Sequence, residues 1–129
     1  MSIEKAKTVM IVDDALFSRK LTRRILEGAG YEVVAEVESG HEARQKYLET
    51  QPQVVLMDIV MPKMDGISAL RSIKEIDPDA KIVIVSSIGS RDQVLQALKA
   101  GAASFILKPF QPNQLIQAVE KAIKVAPVV

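Results

Sequence analysis

Acidic side chains follow two short apolar runs of this chain, at points where a buried strand would end. Asp13 and Asp14 come directly after the apolar residues 9–12, and Asp58 comes directly after residues 54–57. Carboxylate oxygens are ligands that Mg²⁺ accepts in proteins, usually together with several water molecules. If the fold brings the three acids together, their mutual repulsion raises their pKa values unless a cation neutralises them. The pattern therefore predicts a divalent-cation site, with Mg²⁺ as the favoured ion.

Two further polar residues follow apolar runs in the same way. Ser86 comes after residues 82–85, and Lys108 comes after residues 105–107. An anionic nucleophile, a metal, a mobile cation and a hydroxyl donor are the groups that a phosphoryl transfer needs, because positioning and charge neutralisation carry most of its catalysis. The set as a whole therefore indicates phosphoryl-transfer chemistry.

Each of these residues, taken alone, also has a structural explanation. Asp14 could cap the helix that follows, and Asp13 could be a polar turn residue. Lys108 could be a surface lysine at a turn, and Ser86 could be a small polar end to its strand. Asp58 is harder to explain in this way, because an unpaired charge at the end of a buried run is costly. Only the combination of these residues indicates a phosphoryl-transfer site.

The elements that would position these side chains are short apolar runs separated by longer segments. Continuous apolar runs are typical of parallel strands that are covered on both faces. The predicted strands are residues 9–12, 33–37, 54–57, 82–85 and 105–107. Between them, apolar residues recur three or four positions apart, which is typical of amphipathic helices. The residues with this spacing are Phe17, Leu21, Ile25, Leu70, Ile73, Ile76, Val94, Leu95 and Leu98.

Strands that alternate with helices predict an α/β fold, because each parallel connection must cross over right-handedly. Five such units predict a flavodoxin-like, doubly wound, five-stranded parallel sheet of order 2-1-3-4-5 with five helices. Ligands bind such sheets beyond the carboxyl ends of the strands, where the strand order reverses. The polar residues described above would all lie at that edge.

The composition narrows the class of protein. The 129 residues are predicted to form a single domain, 1–129, with a loose tail at about residues 125–129. Lysine plus arginine (17) nearly balance aspartate plus glutamate (16), which argues against direct nucleic-acid binding driven by charge. No cysteine is present, so thiolate chemistry is excluded. No apolar run approaches the length of a membrane span, so we expect a soluble, cytoplasmic protein without membrane insertion.

Four motifs of the chain resemble those of the receiver domains of two-component response regulators. They are IVDD at residues 11–14, MDIVMPKMDG at 57–66, VSS at 85–87 and KPF at 108–110, in the order and spacing of that family. The resemblance covers essentially the whole chain. Each motif alone would be weak, but together they are specific.

This resemblance implies a phosphoacceptor signalling domain that assists its own phosphorylation and dephosphorylation, not an enzyme in the usual sense. Asp58 would accept a phosphoryl group from a phosphohistidine of a sensor kinase. Asp13, Asp14, Asp58 and the backbone carbonyl of Val60 would hold Mg²⁺. Lys108 would pair with a phosphoryl oxygen.

The resemblance also implies a switch. Ser86 would hydrogen-bond to the phosphoryl group, Phe105 would turn inward, and the Lys108–Pro109 peptide bond would be cis. Phosphorylation would then change the surface of helix 4, strand 5 and helix 5, to which a partner binds. Residues expected to be exposed there, as a partner surface or simply as a solvated face, are Gln93, Gln96, Lys99, Gln117 and Lys121.

Several positions depart from the common pattern or leave their role open. Val60 and Ile88 are apolar where many receivers carry polar side chains that place the hydrolytic water, so we expect slow self-dephosphorylation. His41, the only histidine, is expected at the surface without a catalytic role. The basic residues of the first helix are expected on a solvated face, although in this family that helix helps to dock the phosphodonor. They are Arg19, Lys20, Arg23 and Arg24.

Particular residues of the chain argue against two other classes of protein. A phosphatase of the haloacid dehalogenase type needs a second acid two residues after its nucleophile, where this chain has Val60. A flavodoxin binds the flavin phosphate with the loop after its first strand, where Asp13 and Asp14 would repel a phosphate.

Within the receiver family, the stretch at residues 85–112 most resembles the single-domain chemotaxis receivers of the CheY type. Such a protein acts by binding partners: a histidine kinase of the chemotaxis type, the flagellar switch or another output protein, and sometimes a phosphatase. A phosphorelay intermediate, or a receiver domain excised from a longer transcriptional response regulator, would have nearly the same sequence pattern.

Overall fold

The structure, a computed structural model, describes residues 7–59, 66–87 and 91–124. Strands and helices alternate along these residues, as the sequence predicts. The elements are β1 (Thr8–Val12), α1 (Leu16–Gly28), β2 (Glu32–Val37), α2 (Gly40–Thr50), β3 (Val54–Met57), α3 (Gly66–Ile76), β4 (Ile82–Ser86), α4 (Arg91–Lys99), β5 (Ser104–Leu107) and α5 (Pro112–Lys124). The tail at residues 125–129 lies outside the described residues.

The five strands form one parallel sheet of order β2-β1-β3-β4-β5, so the predicted fold class is confirmed. β1 lies inside the sheet and pairs with β2 on one side and β3 on the other, with Val12 opposite Met57. β4 and β5 extend the sheet beyond β3, with Ser86 opposite Leu107. The strand order reverses between β1 and β3, which is where such sheets bind ligands.

The core has two layers because successive side chains of a strand point to opposite faces of the sheet. Val9 and Ile11 of β1 pack with residues of α1 and α5, such as Leu26 and Leu115. On the opposite face, Met10 packs in a cluster that includes residues of α2, α3 and α4. The sheet is therefore covered on both faces, which explains why its strands are apolar throughout.

The buried face of α1 is not the one that the apolar spacing predicted. Phe17 and Leu21 are 81% and 45% exposed, whereas Arg19, Thr22 and Leu26 are buried. The helix is thus rotated so that an arginine and a threonine face the sheet. The prediction of a solvated Arg19 is wrong for the same reason, and its partners are described below.

The buried face of α4 also differs from the prediction. Leu95 and Leu98 are 45% and 44% exposed, and Ala97 is the buried residue of this helix. A small side chain at the contact allows a helix to approach its neighbours closely. The spacing in α3, by contrast, predicted its face correctly, because Leu70 and Ile73 are completely buried.

Most of the polar residues that were expected at the surface are exposed. His41 is exposed in the first turn of α2, as expected. Of the five residues expected to be exposed on the surface of α4 and α5, Gln93 is half-buried. The others are exposed: Gln96, Lys99, Gln117 and Lys121. Within the described ranges, no helical segment combines the length and hydropathy that a bilayer span requires.

Candidate functional site

The carboxyl ends of four strands bring the predicted polar residues to one edge of the sheet. Hydrogen bonds continue from the ladders into the turns: the Asp58 amide donates to the Val12 carbonyl at 2.9 Å, and the Asp13 amide donates to the Val37 carbonyl at 3.0 Å. The Lys108 amide donates to the Ser86 carbonyl at 2.9 Å. The turns that carry these side chains are therefore held in register with the sheet.

Three carboxylates converge at this edge. One oxygen from each of Asp13, Asp14 and Asp58 lies within 4.8 Å of the others. Asp13 is buried, Asp58 is half-buried and Asp14 is exposed, so the cluster is anchored on one side and open to water on the other. Hard oxygen donors with room for water ligands fit Mg²⁺. Val60, which was expected to add a backbone carbonyl, lies outside the described residues.

Lys108 stands among these acids. Its Nζ lies 2.8 Å from Asp13 Oδ2 and 3.3 Å from Asp58 Oδ2. The side chain of Lys108 is 21% exposed, and those of Asp13 and Asp58 are 7% and 12% exposed. The ammonium group therefore bridges two carboxylates in a place that water reaches only in part.

The charges of this group stabilise one another. Burial alone would raise the pKa of Asp13, but hydrogen bonds from Lys108 and the Ala15 amide, together with the nearby Ser18 hydroxyl, outweigh burial and bring that pKa below its ordinary 3.8. Burial would lower the pKa of Lys108, but its contacts with Asp13 and Asp58 raise that pKa above the ordinary 10.5. At neutral pH, Asp13 is an anion and Lys108 is a cation.

Ser86 and Phe105 lie on the neighbouring strands β4 and β5. Ser86 is completely buried at the end of β4. Phe105 is half-buried, is paired with Ile84 of β4, and packs against the core cluster that contains Ile84. Since side chains two residues apart share a face of a strand, Ser86 and Phe105 belong to the face covered by α4. The Lys108–Pro109 peptide bond is cis, as the resemblance implies.

Ser18 was missed by the sequence reasoning. Its Oγ accepts a hydrogen bond of 2.8 Å from Lys108 Nζ. Ser18 lies in the first turn of α1, and a hydroxyl residue at the start of the helix that follows the acid pair was the signal that could have identified it.

Arg19 was assigned to a solvated basic face, and the structure corrects this. The residue is 6% exposed, and its guanidinium group donates to the backbone carbonyl oxygen of Asp13 at 2.8 Å. It also forms ion pairs with Glu36 at 3.3 Å and Glu38 at 3.4 Å. Arg23 is half-buried and forms ion pairs with Glu27 and Glu36.

The rotation of α1 leaves an apolar groove beside the site. The groove has a volume of about 470 Å³. Its lining includes Phe17, Leu21 and Ile25 of α1, Phe110 and Lys108. We call it the α1–Phe110 groove. The exposed basic residues Lys20 and Arg24 of α1 adjoin it, so its rim is positively charged.

The fold and the arrangement of acids, lysine and serine at the carboxyl edge of the sheet define a receiver domain. The chain belongs to the response regulator receiver domain family, whose model matches residues 9–120. It is 49% identical over 118 residues to the chemotaxis protein CheY of Thermotoga maritima. It is 48% identical over 118 residues to CheY of Bacillus subtilis. Each alignment covers 92% of this chain and 98% of the relative.

A solved structure supports the same relationship. A chain in the crystal structure of the CheX–CheY–BeF3–Mg²⁺ complex from Borrelia burgdorferi superposes with a TM-score of 0.88 and 34% sequence identity. The superposition covers 92% of this chain and 90% of that chain. The protein is therefore a receiver domain closely related to CheY, a relationship consistent with two-component signalling and chemotaxis.

Proposed function

We propose that this protein is a chemotaxis response regulator that accepts a phosphoryl group on Asp58 from a phosphohistidine of a histidine kinase. The observation that carries the proposal is the position of Lys108, whose Nζ lies 3.3 Å from Asp58 Oδ2 and 2.8 Å from Asp13 Oδ2 beside a cluster of three acids. A cation in this position can neutralise a phosphoryl group attached to Asp58.

The transfer step is a displacement at phosphorus. A carboxylate oxygen of Asp58 attacks the phosphorus of the phosphohistidine, forming an acyl phosphate bond. The phosphorus–nitrogen bond breaks, and its electron pair returns to the imidazole, which is protonated from solvent. In self-dephosphorylation, water attacks the phosphorus, the bond to the Asp58 oxygen breaks, and inorganic phosphate leaves.

The residues of the acid cluster have distinct tasks in this proposal. Asp13, Asp14, Asp58 and the backbone carbonyl of Val60 would hold Mg²⁺. The bound ion would supply positive charge that neutralises the phosphoryl oxygens during transfer. The depressed pKa of Asp13 keeps that carboxylate ionised for this task. Asp14 is exposed, so its carboxylate faces water on the open side of the cluster.

Lys108 and Ser86 would interact differently with phosphorylated and unphosphorylated Asp58. A phosphoryl group brings about −1.5 to −2 charges and strong acceptor oxygens, and Lys108 would pair with one of them. Ser86 would donate its hydroxyl to another, and Phe105 would turn inward on the same face of the sheet. Phosphorylation would then shift the surface formed by α4, β5 and α5 toward the conformation that a partner binds.

The partners in this proposal follow from the family and from the surface. A histidine kinase of the chemotaxis type would supply the phosphoryl group, docking on the α1–Phe110 groove, whose apolar lining and basic rim fit an acidic amphipathic helix. The flagellar switch or another output protein would bind the active form, and a phosphatase would shorten the signal. The near balance of 17 basic and 16 acidic residues argues against direct nucleic-acid binding driven by charge. The protein would act in the cytoplasm without membrane insertion.

The test is the intact mass of the protein after incubation with acetyl phosphate, with and without Mg²⁺. The wild-type protein is expected to gain one phosphoryl group, only when Mg²⁺ is present. Asp58→Asn is expected to gain none. Asp79→Asn is the matched control, because Asp79 is exposed and lies outside the cluster, and it is expected to react like the wild type. An adduct that survives in Asp58→Asn at the wild-type level would overturn the proposal.

A further inference from the structure

Ser18 is the third partner of the Lys108 ammonium group. An ammonium group has three N–H donors. In the structure these face Asp13 Oδ2 at 2.8 Å, Ser18 Oγ at 2.8 Å and Asp58 Oδ2 at 3.3 Å. Two short contacts thus hold the ammonium group, and the longest contact is the one to the proposed phosphoacceptor.

The hydroxyl of Ser18 holds the Lys108 ammonium group directly. Its Oγ accepts a hydrogen bond of 2.8 Å from Lys108 Nζ, and the same Nζ lies 2.8 Å from Asp13 Oδ2. A serine hydroxyl oxygen can accept such a bond through its lone pairs, so Ser18 and Asp13 together fix two of the three N–H groups. Ser18 is half-buried in the first turn of α1, and the helix holds its backbone in place.

We infer that Ser18 is a positioning residue for the phosphoryl group on Asp58. With two N–H groups held by Asp13 and Ser18, the third N–H of Lys108 points to Asp58. When a phosphoryl group is attached to Asp58, that N–H donates to a phosphoryl oxygen instead of to the Asp58 carboxylate. The contacts of Lys108 with Asp13 and Ser18 stay unchanged. The inference rests on the proposed function and adds a residue to it.

The physical basis is preorganisation. A lysine side chain has many rotamers, and holding it in one costs conformational entropy. Lys108 is 21% exposed, so without Ser18 its ammonium group can turn one N–H toward water. The charge of the lysine would remain, but its orientation toward the phosphoryl oxygen would be lost in part. Removal of Ser18 should therefore weaken binding of a phosphoryl group without abolishing it.

The experiment uses fluoroberyllate, a phosphoryl analogue that binds without turnover, and measures its affinity by calorimetry in saturating Mg²⁺. The variants Ser18→Thr and Ser18→Val have nearly the same shape and differ in the hydroxyl. We expect Ser18→Val and Ser18→Ala to bind fluoroberyllate about fivefold more weakly than the wild type, the order of one net hydrogen bond. Ser18→Thr should bind within about twofold of the wild type. Ser72→Ala, on α3, is the control for loss of a half-buried serine hydroxyl.

The affinity for Mg²⁺ alone separates this role from a general effect on the site. Because Ser18 is inferred to act through Lys108, Mg²⁺ affinity should change by less than about twofold in every variant. Equal affinities of Ser18→Thr and Ser18→Val for fluoroberyllate would overturn the inference, as would an equal loss of affinity for Mg²⁺ and fluoroberyllate. A wild-type protein that binds no fluoroberyllate and forms no phosphoryl adduct would contradict the proposed function itself, and the inference with it.

Discussion

The guanidinium group of Arg19 donates a hydrogen bond of 2.8 Å to the backbone carbonyl oxygen of Asp13. The same side chain is 7% exposed and pairs with Glu36 of the edge strand β2 at 3.3 Å. The buried Arg19 side chain therefore connects the turn after β1, which carries the acid pair, to the neighbouring strand β2. Arg19 therefore helps to position Asp13. Among the described residues, its hydrogen bonds and ion pairs are with Asp13, Glu36 and Glu38, and not with the other predicted site residues.

Replacement of Arg19 by methionine should destabilise the fold. Arg19→Met keeps an apolar stem but removes the donor to Asp13 and leaves Glu36 paired with Arg23 only. We expect a loss of about 2 kcal/mol in the free energy of unfolding, measured by urea denaturation, since breaking a buried pair from one side leaves its partners unsatisfied. Arg24→Met, at an exposed position of the same helix, should change stability by less than about 0.5 kcal/mol. Equal losses in the two variants would show that the buried contacts of Arg19 do not stabilise the fold.

The contribution of Glu36 to the free energy of unfolding should depend on pH. Burial alone would raise the pKa of Glu36, but its hydrogen bonds and ion pairs with Arg23 and Arg19 outweigh burial and bring that pKa below the ordinary 4.5. A carboxylate whose pKa is lower in the folded state stabilises that state above its unfolded pKa, and this contribution is lost as the pH falls through the folded pKa.

We therefore expect Glu36→Gln to be less stable than the wild type at neutral pH, with a difference that shrinks as the pH falls below about 4.5. Urea denaturation over a series of pH values measures this difference. Glu32→Gln, at the exposed start of the same strand, is the control and should show little difference at any pH. A difference between wild type and Glu36→Gln that grows on acidification would contradict the assignment.

Gly66 should tolerate no side chain. A Cβ atom at Gly66 would lie 2.1 Å from the Asp58 carbonyl oxygen and 2.6 Å from Ile59 Cα. Because these are backbone atoms, Gly66→Ala must displace the segment that carries Asp58. We expect a loss of about 2 kcal/mol in stability and slower phosphorylation by acetyl phosphate.

Gly28 provides the matched control for this substitution. A Cβ atom at Gly28 would meet nothing within 4 Å, and alanine is the better helix former, so Gly28→Ala should be neutral or stabilising by up to about 1 kcal/mol. Its rate of phosphorylation should equal that of the wild type. A Gly66→Ala variant as stable and as reactive as Gly28→Ala would mean that the close approach to Asp58 has no consequence.

The phosphoryl group on Asp58 should be long-lived. Val60 and Ile88, which lie outside the described residues, are apolar and cannot orient a water molecule for attack on the phosphorus. We expect Val60→Thr and Ile88→Gln each to shorten the lifetime of the phosphoryl adduct, followed by intact mass after removal of the phosphodonor. A short lifetime in the wild type that neither substitution changes would refute the prediction.

The sequence predicted the strands and their order because buried parallel strands are apolar without interruption. β3 begins and ends at the predicted residues, whereas β1, β2 and β5 begin one residue earlier and β4 ends one residue later. The added residues, such as Thr8 and Ser104, are polar or charged, but their backbones still pair with the neighbouring strand. Hydropathy reports on side chains, so it cannot identify strand ends that only backbone pairing defines.

The sequence also predicted which residues would gather at the edge of the sheet, but not all the contacts between them. Asp13, Asp58 and Lys108 follow strands, so the fold alone brings them together. The contacts of Arg19 and Ser18 depend on the rotation of α1 about its axis. That rotation is set by partners distant in sequence, such as Glu36, and the apolar spacing of Phe17 and Leu21 predicted a different face.

Borohydride trapping would identify the residue that carries the phosphoryl group, which we propose is Asp58. The acyl phosphate formed with acetyl phosphate and Mg²⁺ is reduced to homoserine, and peptide mass spectrometry then locates the altered residue. We expect homoserine at position 58 alone, and none when Mg²⁺ is withheld. Homoserine at position 13 or 14 in place of 58 would contradict the assignment of Asp58 as the phosphoacceptor.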